Sequence, residues 1–298
     1  MPRIARMIVK GENIVYHVIS RTALDGYVIG DIEKDSLLKL IKRMSSVYFA
    51  EVMGFCLMGN HFHLVVRMHT EECCSDEEIR KRFRLYYGDT KQELSDEQIL
   101  CFREKWANIS EYMREIKQNF SRFYNKLHNR KGFFWSDRFK SVIVESGETL
   151  VNCLAYIDLN PIRAGICERP EEYHWCSLGY HVQADNEGNF LSLDFGLKEF
   201  DGNTDDERLM KYREYVYEKG SLSHIERERG NGFEMTGIDR FRFRTRYFTD
   251  SGVIGDKAFV RRHYQQFKHH FTSKHEKAPK GIKGLDGVYS MKRLSEKI

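Results

Sequence analysis

The sequence predicts an α+β fold: a ferredoxin-like split β-α-β antiparallel sheet with a helical insertion, followed by a mostly helical, basic C-terminal region. Three observations predict it. Short β-branched and aromatic runs occur at 14–20, 49–58, 62–68 and 139–145. Apolar residues at helical spacing occur at 34–48, 110–128 and 148–160. Charge is uneven: residues 240–298 carry 15 Lys/Arg against 5 Asp/Glu, so the body before them is net negative although the whole chain is +4.

Each element has a local reason. IVYHVIS at 14–20 is a strand by composition. The helix over 34–48 places apolar residues at 37, 38, 41, 44 and 47–48, with Asp31 or Asp35 as its expected cap. Gly59-Asn60 joins two strands as a hairpin turn. Residues 70–107 are charged and read as a helical insertion. The helix from Ser110 buries positions 113, 116, 120, 123, 124 and 127. A strand at 139–145 and the helix at 148–160 complete the order β-α-β-β-α-β and a further helix. Both crossing helices then share one face of the sheet, and the other face is expected to be free for a site. Two regions follow: 1–180 as the catalytic domain, and 200–298 as a basic appendage dispensable for site geometry.

Composition narrows the class. The seven cysteines include no CxxC pair, which fits a reduced, cytoplasmic protein and not a disulfide framework or zinc ribbon. The first twenty residues lack the apolar core of a signal peptide, and no run of about 18 apolar residues predicts a membrane span. The basic C-terminal region suggests an anionic partner, nucleic acid first; a solvated helical surface is the plainer alternative.

The stretch MGNHFHLVV places His61 and His63 one residue apart in a strand, so both imidazoles face the same way and Phe62 faces the core. Two such rings suit a divalent ion, but equally a hydrogen-bonded pair. In NCLAYIDLNPIRAG, Tyr156 and Asn160 lie four apart on one helical face, with Asn152 a turn before. Asn160 is a candidate oxygen ligand for a hard cation, and Tyr156 a candidate nucleophile or else a core aromatic. Pro161 disfavours helical geometry at Asn160, so the helix is expected to end there.

HFH at 61–63 together with YIDLNPIRAG at 156–165 resembles the HUH single-tyrosine transposases, and within them the REP-associated tyrosine transposases. MPRIAR and YHVISR near the N-terminus and FFWSDRFKS at 133–141 resemble the same group. The likeness spans roughly residues 1–180. It implies that His61, His63 and Asn160 are metal ligands for Mg²⁺ or Mn²⁺, and that Tyr156 is the nucleophile. It further implies a DNA transposase that cleaves and rejoins single-stranded DNA near palindromic hairpins through a 5′-phosphotyrosine, as monomer or homodimer. The alternatives are another HUH nuclease, a replication initiator or relaxase, and a domesticated nucleic-acid-binding regulator with an inert site.

Candidate DNA contacts are Arg3 and Arg6 in an N-terminal arm, Arg122 and Lys126 on the helix, Arg138 and Lys140 before the strand, and Arg163 beyond Asn160. Phe133, Phe134 and Trp135 are candidates for base stacking or for the core. In RFRFRTR, an extended segment would align Arg240, Arg242, Arg244 and Arg246 on one face. Arg261 and Arg262 continue the charge on a helix expected to begin near Asp256.

Overall fold

In the computed structural model the described residues are 6–88, 93–195, 204–228, 247–270, 278–282, 285 and 287–292. The elements that position the site are β1 (Ile14–Arg21), α1 (Asp31–Ser45), β2 (Ala50–Leu57), β3 (His61–Met68), α4 (Ile109–Leu127), β4 (Lys140–Val144) and α5 (Glu148–Asp158). Helices α2 (Asp76–Tyr87) and α3 (Asp96–Trp106) form the expected insertion.

The strand order β2-β3-β1-β4, with β3 antiparallel to both β1 and β2 and β4 antiparallel to β1, is the split β-α-β arrangement. Among the described residues the sheet continues beyond it. Strand β5 (Ser251–Gly255) pairs parallel to β4, and β7 (Tyr289–Lys292) and β6 (Lys280–Gly281) follow. The sequence reading took residues 200–298 as mostly helical and named no strand of the sheet there. The five-residue β5 is a short apolar run without the alternation that marks a half-buried strand, because it is buried along its whole length.

Alternation in β1 and β3 divides the core into two layers. Ile14, Tyr16 and Val18 with Phe62, Leu64 and Val66 pack in one cluster with residues of α1 and α4. Val15 and Val65 point the other way, into a cluster with α5. The face expected from sequence to be free is instead covered by α5, with α7 (Ser177–Ala184) against β2 and α8 (Asp205–Glu228) packed on α5 from outside. The candidate histidines lie in this inner layer.

A bulge in β2 between Val52 and Gly54 brings α5 close. A Cβ on Gly54 would stand 2.6 Å from Leu154 Cδ2 and 2.8 Å from Ser177 Oγ, so only glycine lets the helix seat there. Tyr212 and Tyr215 of α8 hold α5 from outside: Tyr212 donates to the buried Asp158 at 2.5 Å and Tyr215 to Asn152 at 2.7 Å.

Two local expectations are corrected. The cap of α1 is Gly30, without a side-chain bond. Asp31 lies inside the first turn and pairs with Lys34, while Asp35 accepts from the Trp175 indole at 2.8 Å. The helix expected over 148–160 stops at Asp158, and a separate turn, α6 (Asn160–Arg163), follows Leu159. Pro161 has no N–H to offer the carbonyl of Ile157, so the ladder is interrupted there.

Candidate functional site

The site is built where the end of β1, the start of β3 and the C-terminal half of α5 converge. Register places Arg21 opposite His61 and Ile19 opposite His63. His17 is paired with Val65, so it is the diagonal neighbour of His63 on the same sheet face. Three imidazoles thus run along one face, with ring centroids 5.1 Å apart from His17 to His63 and 5.1 Å from His61 to His63. The Tyr156 ring stands edge-on to them, 5.8 Å from His63 and 6.1 Å from His17 in the same chain.

Burial sets the electrostatics. His63 is 3% exposed and His17 fully buried. Desolvation pushes His17 and His61 down to about 4, and His63 well below its ordinary value, with neighbouring His17, His61 and Arg163 adding to the last. All three rings are neutral at physiological pH, the form that binds metal without first losing a proton. The Nδ1 of His61 lies 2.7 Å from Asn60 Oδ1 and donates to it, so Nε2 carries the lone pair.

Tyr156 is 9% exposed. Burial raises its pKa, and the Arg163 guanidinium, 4.4 Å from the ring centroid, opposes that rise. Arg163 Nη2 also donates to the Tyr156 carbonyl at 2.6 Å and to Asn160 Oδ1. Arg163 is two helical turns beyond Tyr156, so its side chain reaches back over the end of α5. Phe248, in the turn Tyr247–Asp250, packs on Tyr156 at 5.3 Å and accepts from His17 Nδ1 through its carbonyl at 2.9 Å.

The donor set fits a divalent ion in part. Among the described residues no group of three His, Cys, Asp or Glu gathers that could hold a metal. A third protein ligand would therefore be an amide or another oxygen. Asn160 is the candidate the sequence names: its Oδ1 accepts from Arg163 and keeps a second lone pair, whereas its Nδ2 is a donor and cannot ligate a metal. Asn152, expected on the same face, instead bonds Glu148 O and Tyr215 and does not join the site.

No protein-family model and no curated protein matches the chain. Among solved structures it is similar to one described as the REP-associated tyrosine transposase bound to a REP hairpin. The TM-score is 0.42 and the identity 13%, covering 64% of this chain and 92% of that one. At that level of likeness the site rests on its own geometry.

The candidate DNA contacts separate into groups. Arg6, Arg122 and Arg138 line one groove of about 640 Å³ along α4, together with Arg114 and Lys117, which the sequence reading missed. Burial, then the nearby Arg6 charge, brings Lys117 down to about 8, although it donates to the Asp137 carbonyl at 2.7 Å. Trp135 and Phe139 floor the groove, and the Arg6 guanidinium lies 3.9 Å above the Phe139 ring. Lys126 and Lys140 are exposed but do not line it. Phe134 and Trp135 are core residues, whereas Phe133 is 82% exposed. Arg261 and Arg262 are exposed on the helix Lys257–Phe267, capped by Asp256 as expected, and Arg262 pairs with Glu12 at 3.2 Å. The apolar residues of that helix join the α1/α4 layer, across the sheet from the histidines. Arg3, Arg240, Arg242, Arg244 and Arg246 lie outside the described residues.

The sequence reading also missed His17, Phe248, Asn60 and Arg21 as parts of the site. His17 carried one available signal: it alternates against Tyr16 and Val18, so its parity puts it on the face opposite the core residues.

Proposed function

We propose that the chain is a metal-dependent single-strand DNA nuclease and strand transferase, a transposase acting beside hairpin ends through a covalent bond to Tyr156. One observation carries this reading: a buried tyrosine edge-on to His63 and His17, with His61 next to His63 on the same sheet face and an arginine over the tyrosine ring. A tyrosine buried only for packing needs no cation on its face, and paired core histidines need no tyrosine.

His61, His63 and Asn160 would hold the ion, Mg²⁺ or Mn²⁺; when bound it supplies charge neutralisation on the nonbridging phosphate oxygens. The Tyr156 oxygen attacks phosphorus, the bond from phosphorus to the 3′ oxygen breaks, and the tyrosyl proton is balanced by the one the released 3′-hydroxyl takes up. The 5′-phosphotyrosine keeps the bond energy, so a second 3′-hydroxyl reverses the step without ATP. Arg163 favours the phenolate form and offers its charge to the phosphate. The groove along the outer side of α4 belongs to the layer across the sheet from the histidines, so it would hold DNA beyond the reacting phosphate. Its cationic side chains suit a phosphate backbone.

The test is covalent capture. The protein is incubated with Mn²⁺ and single-stranded DNA carrying the palindromes that flank its gene. A protein–DNA adduct stable to denaturant is expected from wild type and absent from Tyr156→Phe, which should still bind the DNA. An adduct of equal yield from the phenylalanine variant removes Tyr156 as nucleophile.

A further inference from the structure

We propose that His17 is a positioning residue: with the Phe248 carbonyl it fixes the tautomer of His63 and so decides which nitrogen His63 presents to the site. The inference rests on the metal-site reading above and adds His17 and Phe248, which that reading does not use. His17 and His63 are joined by a 2.8 Å contact between His17 Nε2 and His63 Nδ1, and His17 Nδ1 lies 2.9 Å from Phe248 O.

The polarity of this chain follows from its end. A backbone carbonyl only accepts, so His17 Nδ1 carries the proton and donates to Phe248. A neutral imidazole has one N–H, so His17 Nε2 is the acceptor. The proton in the contact with His63 then belongs to His63 Nδ1, and the lone pair of His63 is left on Nε2. His61 reaches the same state by a separate route, through Asn60 Oδ1. Two neighbouring histidines thus have the same tautomer, each fixed by an acceptor behind it. Such acceptors orient ligand imidazoles and raise their basicity.

The arrangement has a consequence for the fold. Phe248 lies 231 residues beyond His17 in sequence, just ahead of β5, which is zipped to β4. The C-terminal region therefore contributes to the site a backbone acceptor that no side-chain substitution of Phe248 removes. A purely structural role for His17 would be met by any side chain filling the same buried volume. A positioning role needs an acceptor towards His63 and a donor towards Phe248. Glutamine supplies both from one amide, and phenylalanine supplies neither.

The experiment uses the full chain without metal, labelled with ¹⁵N-histidine, in long-range ¹H–¹⁵N correlation spectra that distinguish protonated from bare ring nitrogens. Wild-type His63 should show a protonated Nδ1 and a bare Nε2. His17→Phe should shift His63 towards the other tautomer and weaken Mn²⁺ binding, read by the electron paramagnetic resonance of free Mn²⁺, about tenfold or more. His17→Gln should restore both. A protonated Nε2 on His63 of the wild-type protein overturns the proposal without any variant, so a misfolded His17→Phe cannot shelter it. Unchanged His63 signals and Mn²⁺ affinity in a folded His17→Phe overturn it too. If covalent capture fails while these spectra are as expected, the assigned reaction is wrong and the positioning role stands.

Discussion

His61 and His63 are supported differently, and their variants should differ accordingly. His61 leans on Asn60, a partly exposed neighbour in the turn, whereas His63 is buried against His17. On the proposed reading, His61→Ala and His63→Ala should each cut adduct formation by more than about two orders of magnitude, since each would remove an imidazole ligand. Asn160→Ala should cut it by about one order, recovered in part by raising Mn²⁺, because a weakly held neutral ligand is lost while the nucleophile stays. His63→Ala should also lower thermal stability, because it leaves His17 Nε2 buried without its partner, a cost of about 1–3 kcal/mol. Adduct formation by either histidine variant at the wild-type rate in the presence of chelator would exclude a metal-dependent site. The parity of HFH placed both rings on one face from the sequence alone. The third ring, His17, depended on strand pairing, which local periodicity does not carry.

At the scale of one helix, α4 joins two functions. Its buried stripe, Met113, Ile116, Phe120 and Tyr124, closes the core, and its outer side carries the groove. Lys117 is the sensitive group there because its pKa is brought down to about 8 by burial and by Arg6. A phosphate in the groove favours the charged form and raises that pKa, so binding takes up a proton near pH 8. Affinity for hairpin DNA should therefore be full below about pH 7 and fall as pH rises through 8 to 9. Fluorescence anisotropy at constant ionic strength across this range would measure it. Lys117→Arg should remove the fall, since an arginine stays charged throughout. A pH dependence that survives in the arginine variant assigns the proton to another group and takes Lys117 out of the DNA path. The amphipathic stripe of α4 was readable from residues 110–128. The groove was not, since it is completed by Arg6 and by residues 132–139, brought in by the tertiary fold.

At the scale of the whole molecule, the C-terminal region is woven into the first 180 residues. Ile143 and Val144 pair with Val253 and Ile254, Tyr212 reaches Asp158, and Phe248 covers Tyr156. A chain ending near residue 198 was expected from sequence to keep the site geometry. These contacts predict the opposite outcome. Truncation bares the edge of β4, strips buried Phe248, Val253 and Ile254 from the core, and removes the acceptor of His17. Each fully buried apolar side chain is worth about 1.5–3 kcal/mol, so the melting temperature should fall by roughly 10 °C or more. Calorimetry showing an unchanged transition in the shortened chain would mean that residues 204–292 dock without supporting the sheet.

What the sequence determined by itself is what short-range rules control. Alternation in IVYHVIS and HFHLVV, apolar spacing in 110–128, and turn chemistry at Gly59-Asn60 specify the split β-α-β order and the shared face of His61 and His63. The sequence put Tyr156 and Asn160 on one helical face by spacing alone; the fold puts them in α5 and α6, on either side of Leu159. Tertiary structure alone decided that this face is covered, that Gly54 admits α5 against it, and that Arg163 returns over Tyr156 after the break at Leu159. It alone set His17 between His63 and a carbonyl 231 residues away. The reason is physical: period and propensity constrain neighbours along the chain, whereas desolvation and hydrogen-bond polarity in a buried site depend on which distant segments pack together.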